Sequence, residues 1–88
     1  MAKIIRTDGS EEELKDTSLQ SLQTAVGGNI EMAFTNDGKV MWINEEGKLK
    51  GLMYNEKATK LYVHKDRDDI LGDVVVGDEA EFAGDDES

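Results

Sequence analysis

His64 is the one imidazole of the chain, and it stands in the charged run Val63-His64-Lys65-Asp66-Arg67-Asp68-Asp69. A nucleophilic triad needs a Ser or Cys poised beside such a His, and this run supplies neither, so His64 reads as an exposed loop residue. Zinc would need three carboxylates to join that His, because the chain has no Cys. An EF-hand loop needs oxygen ligands at positions 1, 3 and 5 and Gly at position 6. Counting from Asp66 places Ile70 and Leu71 at positions 5 and 6, and aligning Gly38 or Gly47 with position 6 puts Ala33 or Trp42 at position 1. Calcium loops therefore fail, which leaves only loose divalent-cation attraction to the acidic end. Paired carboxylates for glycoside hydrolysis need a cleft between them, which a chain with two Phe, two Tyr and one Trp hardly builds. The Gly pair Gly27-Gly28 follows a helix signal instead of opening one, so it marks a helix stop and not a phosphate cradle. The residues thus assign no catalytic group, no metal and no cofactor, and they point to a binding protein instead of an enzyme.

What the chain has in abundance is carboxylate. Net charge is −10, and its placement says more than its total. Residues 1–65 carry ten acids against nine Lys and Arg, a net of −1; residues 66–88 carry ten acids against Arg67 alone, a net of −9. Such a field repels nucleic acid and anionic membrane and steers basic partners inward. Direct nucleic-acid or membrane binding is not expected. The absence of Cys suits a reducing compartment, and the longest aliphatic run is Val74-Val75-Val76, too short for a secretory or spanning segment. The expected location is a reducing cytoplasm.

These carboxylates must be carried by a small body. At 88 residues the chain has room for one domain with a thin core. "AKIIR" reads as a first strand, and "TDGSEEELKD" as turn residues with Glu11, Glu12 and Glu13 in a loop or a short helical turn. "DTSLQSLQTAVGG" is the clearest helix, with Asp16, Thr17 or Ser18 as cap, Gly27-Gly28 as stop, and Leu19, Leu22, Ala25 and Val26 as one apolar stripe. "NIEMAFTNDGKVMWIN" reads as a hairpin around Asn36-Asp37-Gly38, with Ile30, Met32 and Phe34 alternating with Glu31, Ala33 and Thr35, and Trp42 as core. "LKGLMY" adds a short extended piece. "NEKATKLY" is a second helix capped by Asn55 and presenting Ala58, Leu61 and Tyr62, and "DDILGDVVVGD" carries a last strand through Ile70, Leu71 and the valines. The expected class is α+β, a small antiparallel sheet with two helices in the order βαββαβ, either a ferredoxin-like sandwich or a related roll. Residues 1–84 form that domain and 85–88 an acidic tail.

In an extended segment alternate residues lie about 6.6 to 7 Å apart on one side, so Asp66 with Asp68 and Glu79 with Glu81 would make a ladder of charge. DNA rises about 3.4 Å per nucleotide on each strand, so a site built for its phosphates would meet a compatible pattern. A solvated tail would need neither the valines that tie much of this charge to a strand nor Phe82, an apolar anchor inside the last acidic run. The expected partner-binding residues are Asp66, Asp68, Asp69, Asp73, Asp78, Glu79, Glu81 and Phe82, with help from Glu11, Glu12, Glu13, Glu45 and Glu46.

The ordered pieces L-Q, V-G-G-x-I-E, N-E-E-G-K-L, N-x-x-A-T and G-D-V-V-V, spread over about residues 19 to 78, resemble a family of small proteins found in phages and mobile elements. That resemblance implies a phage or plasmid context and brings no catalytic residues with it. In charge and size the chain is also similar to the acidic proteins with which phages disable host DNA-binding proteins by mimicking DNA, an analogy and not a matched motif. The leading expectation is an inhibitor that fills the basic DNA site of a host protein, an HU-type nucleoid protein first, RNA polymerase or a restriction or CRISPR nuclease next. Two rivals stand beside it. One is a binder that sequesters a nucleotide signal in a pocket near Trp42, Tyr54 and Tyr62, which would need Lys48, Lys50, Lys57 and Lys60 to cluster; the other is an acidic structural module without DNA mimicry. The chain is expected as a monomer or a dimer.

Overall fold

The structure, a computed structural model, describes residues 2–83. The sheet begins with β1 (Lys3–Ile5), which turns through Asp8 and Gly9 into β2 (Glu11–Glu13). Three consecutive glutamates are poor strand formers, and sequence alone put them in a loop or helical turn. Pairing to β1 and the cations Lys3, Arg6 and Lys57 around them override that preference. Ser18 caps α1 (Leu19–Val26), its hydroxyl accepting from the Ser21 N–H, and Gly27 ends the helix at φ 82°, a left-handed turn that glycine adopts without strain.

The hairpin follows as β3 (Ile30–Phe34) and β4 (Val40–Asn44). Asn55 caps α2 (Glu56–Leu61), and β5 (Val74–Gly77) and α3 (Glu79–Ala83) complete the order. The strand expected through Ile70 and Leu71 is therefore confined to residues 74–77. Leu71 instead makes an isolated bridge to Tyr54. The segment taken as acidic strand or tail contains a short helix, and residues 85–88, the expected tail, lie outside the described residues.

All neighbouring strands are antiparallel, in the order β2-β1-β5-β4-β3. The last strand thus lies between the first and the fourth, whereas a ferredoxin-like sandwich would leave it at an edge; the fold is the roll-like α+β alternative. Leu22 and Val26 of α1 pack with Ile4 and Val75 on one face. Ala58 of α2 and Ile70 pack with Ile5, Met41 and Val74 on the other. Both faces are covered, which explains three valines in succession: Val74 and Val75 point to opposite faces and both are buried.

Coverage also decides which side of β3 is inside. Ala33 and Thr35 are buried toward α2, while Met32 and Phe34, on the α1 side, are exposed. An eight-residue helix spans about 12 Å, and α1 covers the central strands without reaching that corner. Leu19, expected in the apolar stripe, is exposed as the first helical residue, and the stripe is buried only at Leu22 and Val26.

Candidate partner-binding surface

The carboxylates separated in sequence are gathered by the fold at three places. At the β2 edge, antiparallel pairing sets Glu11 opposite Ile5, Glu12 opposite Ile4 and Glu13 opposite Lys3. Glu11 accepts from Lys57 at 3.0 Å and Lys3 at 3.4 Å. The Lys57 hydrogen bond, with its charge, holds the Glu11 carboxyl below its ordinary value. Arg6 donates to Glu12 at 2.6 Å and to Asp73 at 3.1 Å, while the other Asp73 oxygen accepts from the Thr7 N–H at 3.0 Å. Glu12 and then Asp73 raise the Arg6 guanidinium above its usual range. Asp73, half-buried in this network, ties the lead-in of β5 to the end of β1; its geometry is that of a fold-holding residue.

The second place is a groove of about 210 Å³ on the α2 side of the sheet. Glu31, Glu45, Asp68 and Asp69 line it, with Lys48 as the cation among them. Lys48 bonds Asp68 at 2.5 Å and draws that carboxyl below its ordinary value. Hairpin register puts Glu31 opposite Ile43, two residues before Glu45, so loop acids and sheet acids meet. Glu31 was missed from sequence, although counting back from the Asn36-Asp37-Gly38 turn would have paired it there. Glu46 lies 3.8 Å from Lys50 and does not line the groove.

The third place is a cleft of about 180 Å³ where Glu11, Asp37, Asp78 and Glu81 surround Lys3 and Lys39. Asp37 is a second residue that sequence reasoning missed. Leu61 lines this cleft and Tyr62 lines the groove, so the end of α2 separates two acidic hollows on one side of the sheet. The Asp78 N–H donates to Glu81 at 2.9 Å, the return half of a capping box, and chiefly for that reason the Glu81 carboxyl lies below its ordinary value.

Several sequence expectations change here. The charge ladder does not form: residues 63–67 are turns, and Glu79 and Glu81 stand two apart on a helix, about 200° around its axis. Phe82 is not a free anchor, since its ring packs edge-on against Trp42 at 5.8 Å and 81°. Trp42 itself is only partly buried, and its indole N–H has no partner among the described residues. Asp66 lies on the turn beyond the groove, outside its lining.

The aromatic residues of the rival pocket also separate. Trp42 belongs to the α1 side of the sheet and Tyr62 to the α2 side, while Tyr54 is exposed. Lys48, Lys50, Lys57 and Lys60 each pair with a different acid, respectively Asp68, Glu46, Glu11 and Glu56, so they form no common cationic site. His64 is exposed and stacks edge-on against Tyr62 at 5.6 Å. Among the described residues no three of His, Asp or Glu are arranged to hold a metal ion.

A family model described as a domain of unknown function, DUF3846, matches residues 2–87. The chain belongs to the DUF3846 family. No curated protein and no solved structure gives a significant match. In this DUF3846 domain no helix among the described residues is long and apolar enough to cross a membrane. Its most marked surface property is a set of carboxylates outside short ion pairs: Glu13, Glu31, Glu45, Asp66, Asp69, Asp78 and Glu79 make none among the described residues.

Proposed function

We propose that the protein is a non-enzymatic acidic module of the bacterial cytoplasm that occupies the basic DNA-binding site of a host protein. One observation carries the reading. Lys3, Arg6, Lys48, Lys50, Lys57 and Lys60 are held in ion pairs within the domain, Lys48 by Asp68, so Glu31, Glu45 and Asp69 of the groove and Asp78-Glu79, which make no ion pair among the described residues, keep their charge for an outside partner. A basic partner that pairs these groups gains what it would gain from phosphates, with an affinity that falls as salt rises. The groove makes the pattern compact, with four acids against one cation.

An HU-type nucleoid protein remains the first candidate, because a small domain fits a small basic saddle; RNA polymerase and restriction or CRISPR nucleases follow. The test is displacement of a fluorescent DNA duplex from the purified partner. Near-stoichiometric release at low salt is expected, weakening as salt is raised and lost in the double variant Glu45→Lys, Asp69→Lys. If DNA stays bound at every ratio with each candidate, the reading fails.

A further inference from the structure

The two edges of the sheet are unlike. Edge β2 carries three glutamates, whereas β3 carries Ile30, Met32 and Phe34 around Glu31. Backbone direction on β3 follows from its bonds. The Thr35 N–H donates to Lys39 and the Asn29 carbonyl accepts from Glu45, so the odd-numbered residues face the hairpin partner. The even-numbered residues face outward, and the Phe34 carbonyl there accepts from the Val63 N–H at 2.9 Å. Val63 covers only that end. Among the described residues nothing pairs with the outward N–H and C=O groups of Ile30 and Met32.

Side chains on the two faces of this open edge differ in kind. On the α1 side Met32 is 50% exposed and Phe34 47%, with Val63 at 45% opposite Phe34. On the α2 side Glu31 leads into the groove that holds Glu45, Asp68 and Asp69. A strand added here would meet Ile30, Met32 and Phe34 on one face and, on the other, Glu31 with the groove carboxylates Glu45, Asp68 and Asp69 beyond it. A second copy of the chain is the wrong occupant, because two-fold pairing of β3 with itself would bring two acidic grooves side by side.

We infer that β3 accepts an extended protein segment of alternating basic and apolar residues as a sixth strand of the sheet. This deepens the reading above and rests on it for the partner being a protein with an exposed basic segment. Main-chain bonds to Ile30 and Met32 supply the pairing, and the alternation supplies the selectivity. The strand offers residues 30–33, about 14 Å, before the Val63 segment closes the edge at Phe34.

The probe is a capped peptide of alternating lysine and valine, set against an isomer with the same residues in two blocks. Calorimetry should give at least about tenfold tighter binding for the alternating peptide, and amide exchange should slow at Ile30 and Met32. Met32→Pro removes an outward donor while leaving the inward bonds to β4, and should reduce the alternating peptide to the level of its isomer. Glu31→Lys, on an exposed side chain, keeps the edge and should weaken the same peptide about tenfold, which covers the case of a poorly folded proline variant. Equal binding of the two isomers, or slowed exchange elsewhere with β3 unchanged, overturns the inference. Selective peptide binding at β3 without any DNA release would leave this pairing standing and sink the DNA-site reading; DNA release with no preference between isomers would do the reverse.

Discussion

Asn55 ties three separate parts of the fold together through one side chain. It is fully buried; its oxygen accepts from the Ala58 N–H, and its amide donates to the carbonyls of Ile5 and Gly72 at 3.0 and 2.9 Å. Asn55→Ala removes a helix cap and takes a hydrogen bond from each of two buried carbonyls, a loss of about 3 kcal/mol that a urea midpoint will register. Asn55→Asp keeps the cap but sets carboxylate oxygen against those carbonyls, so it should be destabilised too; wild-type stability in that variant would refute the double-donor role. The cap was legible in the sequence, as an Asn before Glu-Lys-Ala-Thr. Its donation to Ile5 was not, because fifty residues separate the two and only the finished sheet joins them. Glu11 gives the acid behaviour. Its folded pKa is depressed, so its contribution is present above the ordinary value of 4.5 and is lost as pH falls through the folded value. The stability difference between wild type and Glu11→Gln should be largest at neutral pH and shrink below pH 4.5; a constant difference in pH-dependent melts would rule this out.

Elements with local signals were the readable ones. Helix α1 announced its start within Asp16, Thr17 and Ser18, of which Ser18 is the cap, and its end in the Gly27-Gly28 pair, and the hairpin announced its turn. Strand β2 and helix α3 did not, since Glu-Glu-Glu has no strand pattern and Glu-Ala-Glu-Phe-Ala is too short for a helical one. The inner side of β3 was not legible from its alternation, because burial there depends on where an eight-residue helix stops, which no pattern within the strand encodes. Carboxylates on β2 do a further job at this scale, since charge on an edge strand discourages pairing with other chains. Replacing Glu11, Glu12 and Glu13 together by Thr should produce self-associated species in light scattering, with the circular-dichroism spectrum retained. A strictly monomeric triple variant would show that something other than charge protects that edge.

For the molecule as a whole, the α+β class was legible from the order of signals, and the excess of acid from simple counting. Strand order was not, because it depends on the last strand entering the centre; only the run of three valines hinted at burial on both faces. The same excess of acid makes folding and binding respond to salt with opposite signs. Screening weakens repulsion among the unpaired carboxylates more than it weakens the exposed ion pairs among the described residues, so added salt should raise the melting temperature by a few degrees while it should loosen the proposed basic partner. A melting temperature that falls with salt would show that the pairs dominate. The central place of β5 has a consequence in time. Until Val74–Gly77 arrives, β1 with β2 and β3 with β4 are two separate ribbons with no shared ladder between them. Isolated two-stranded ribbons are marginal in water. A chain emerging from the ribosome therefore carries most of its length without a sheet to hold it, and the sheet closes in one late, non-local step. Val74–Gly77 works as the keystone of assembly, and the speed at which it seats sets how long the open β3 edge is left without a core behind it.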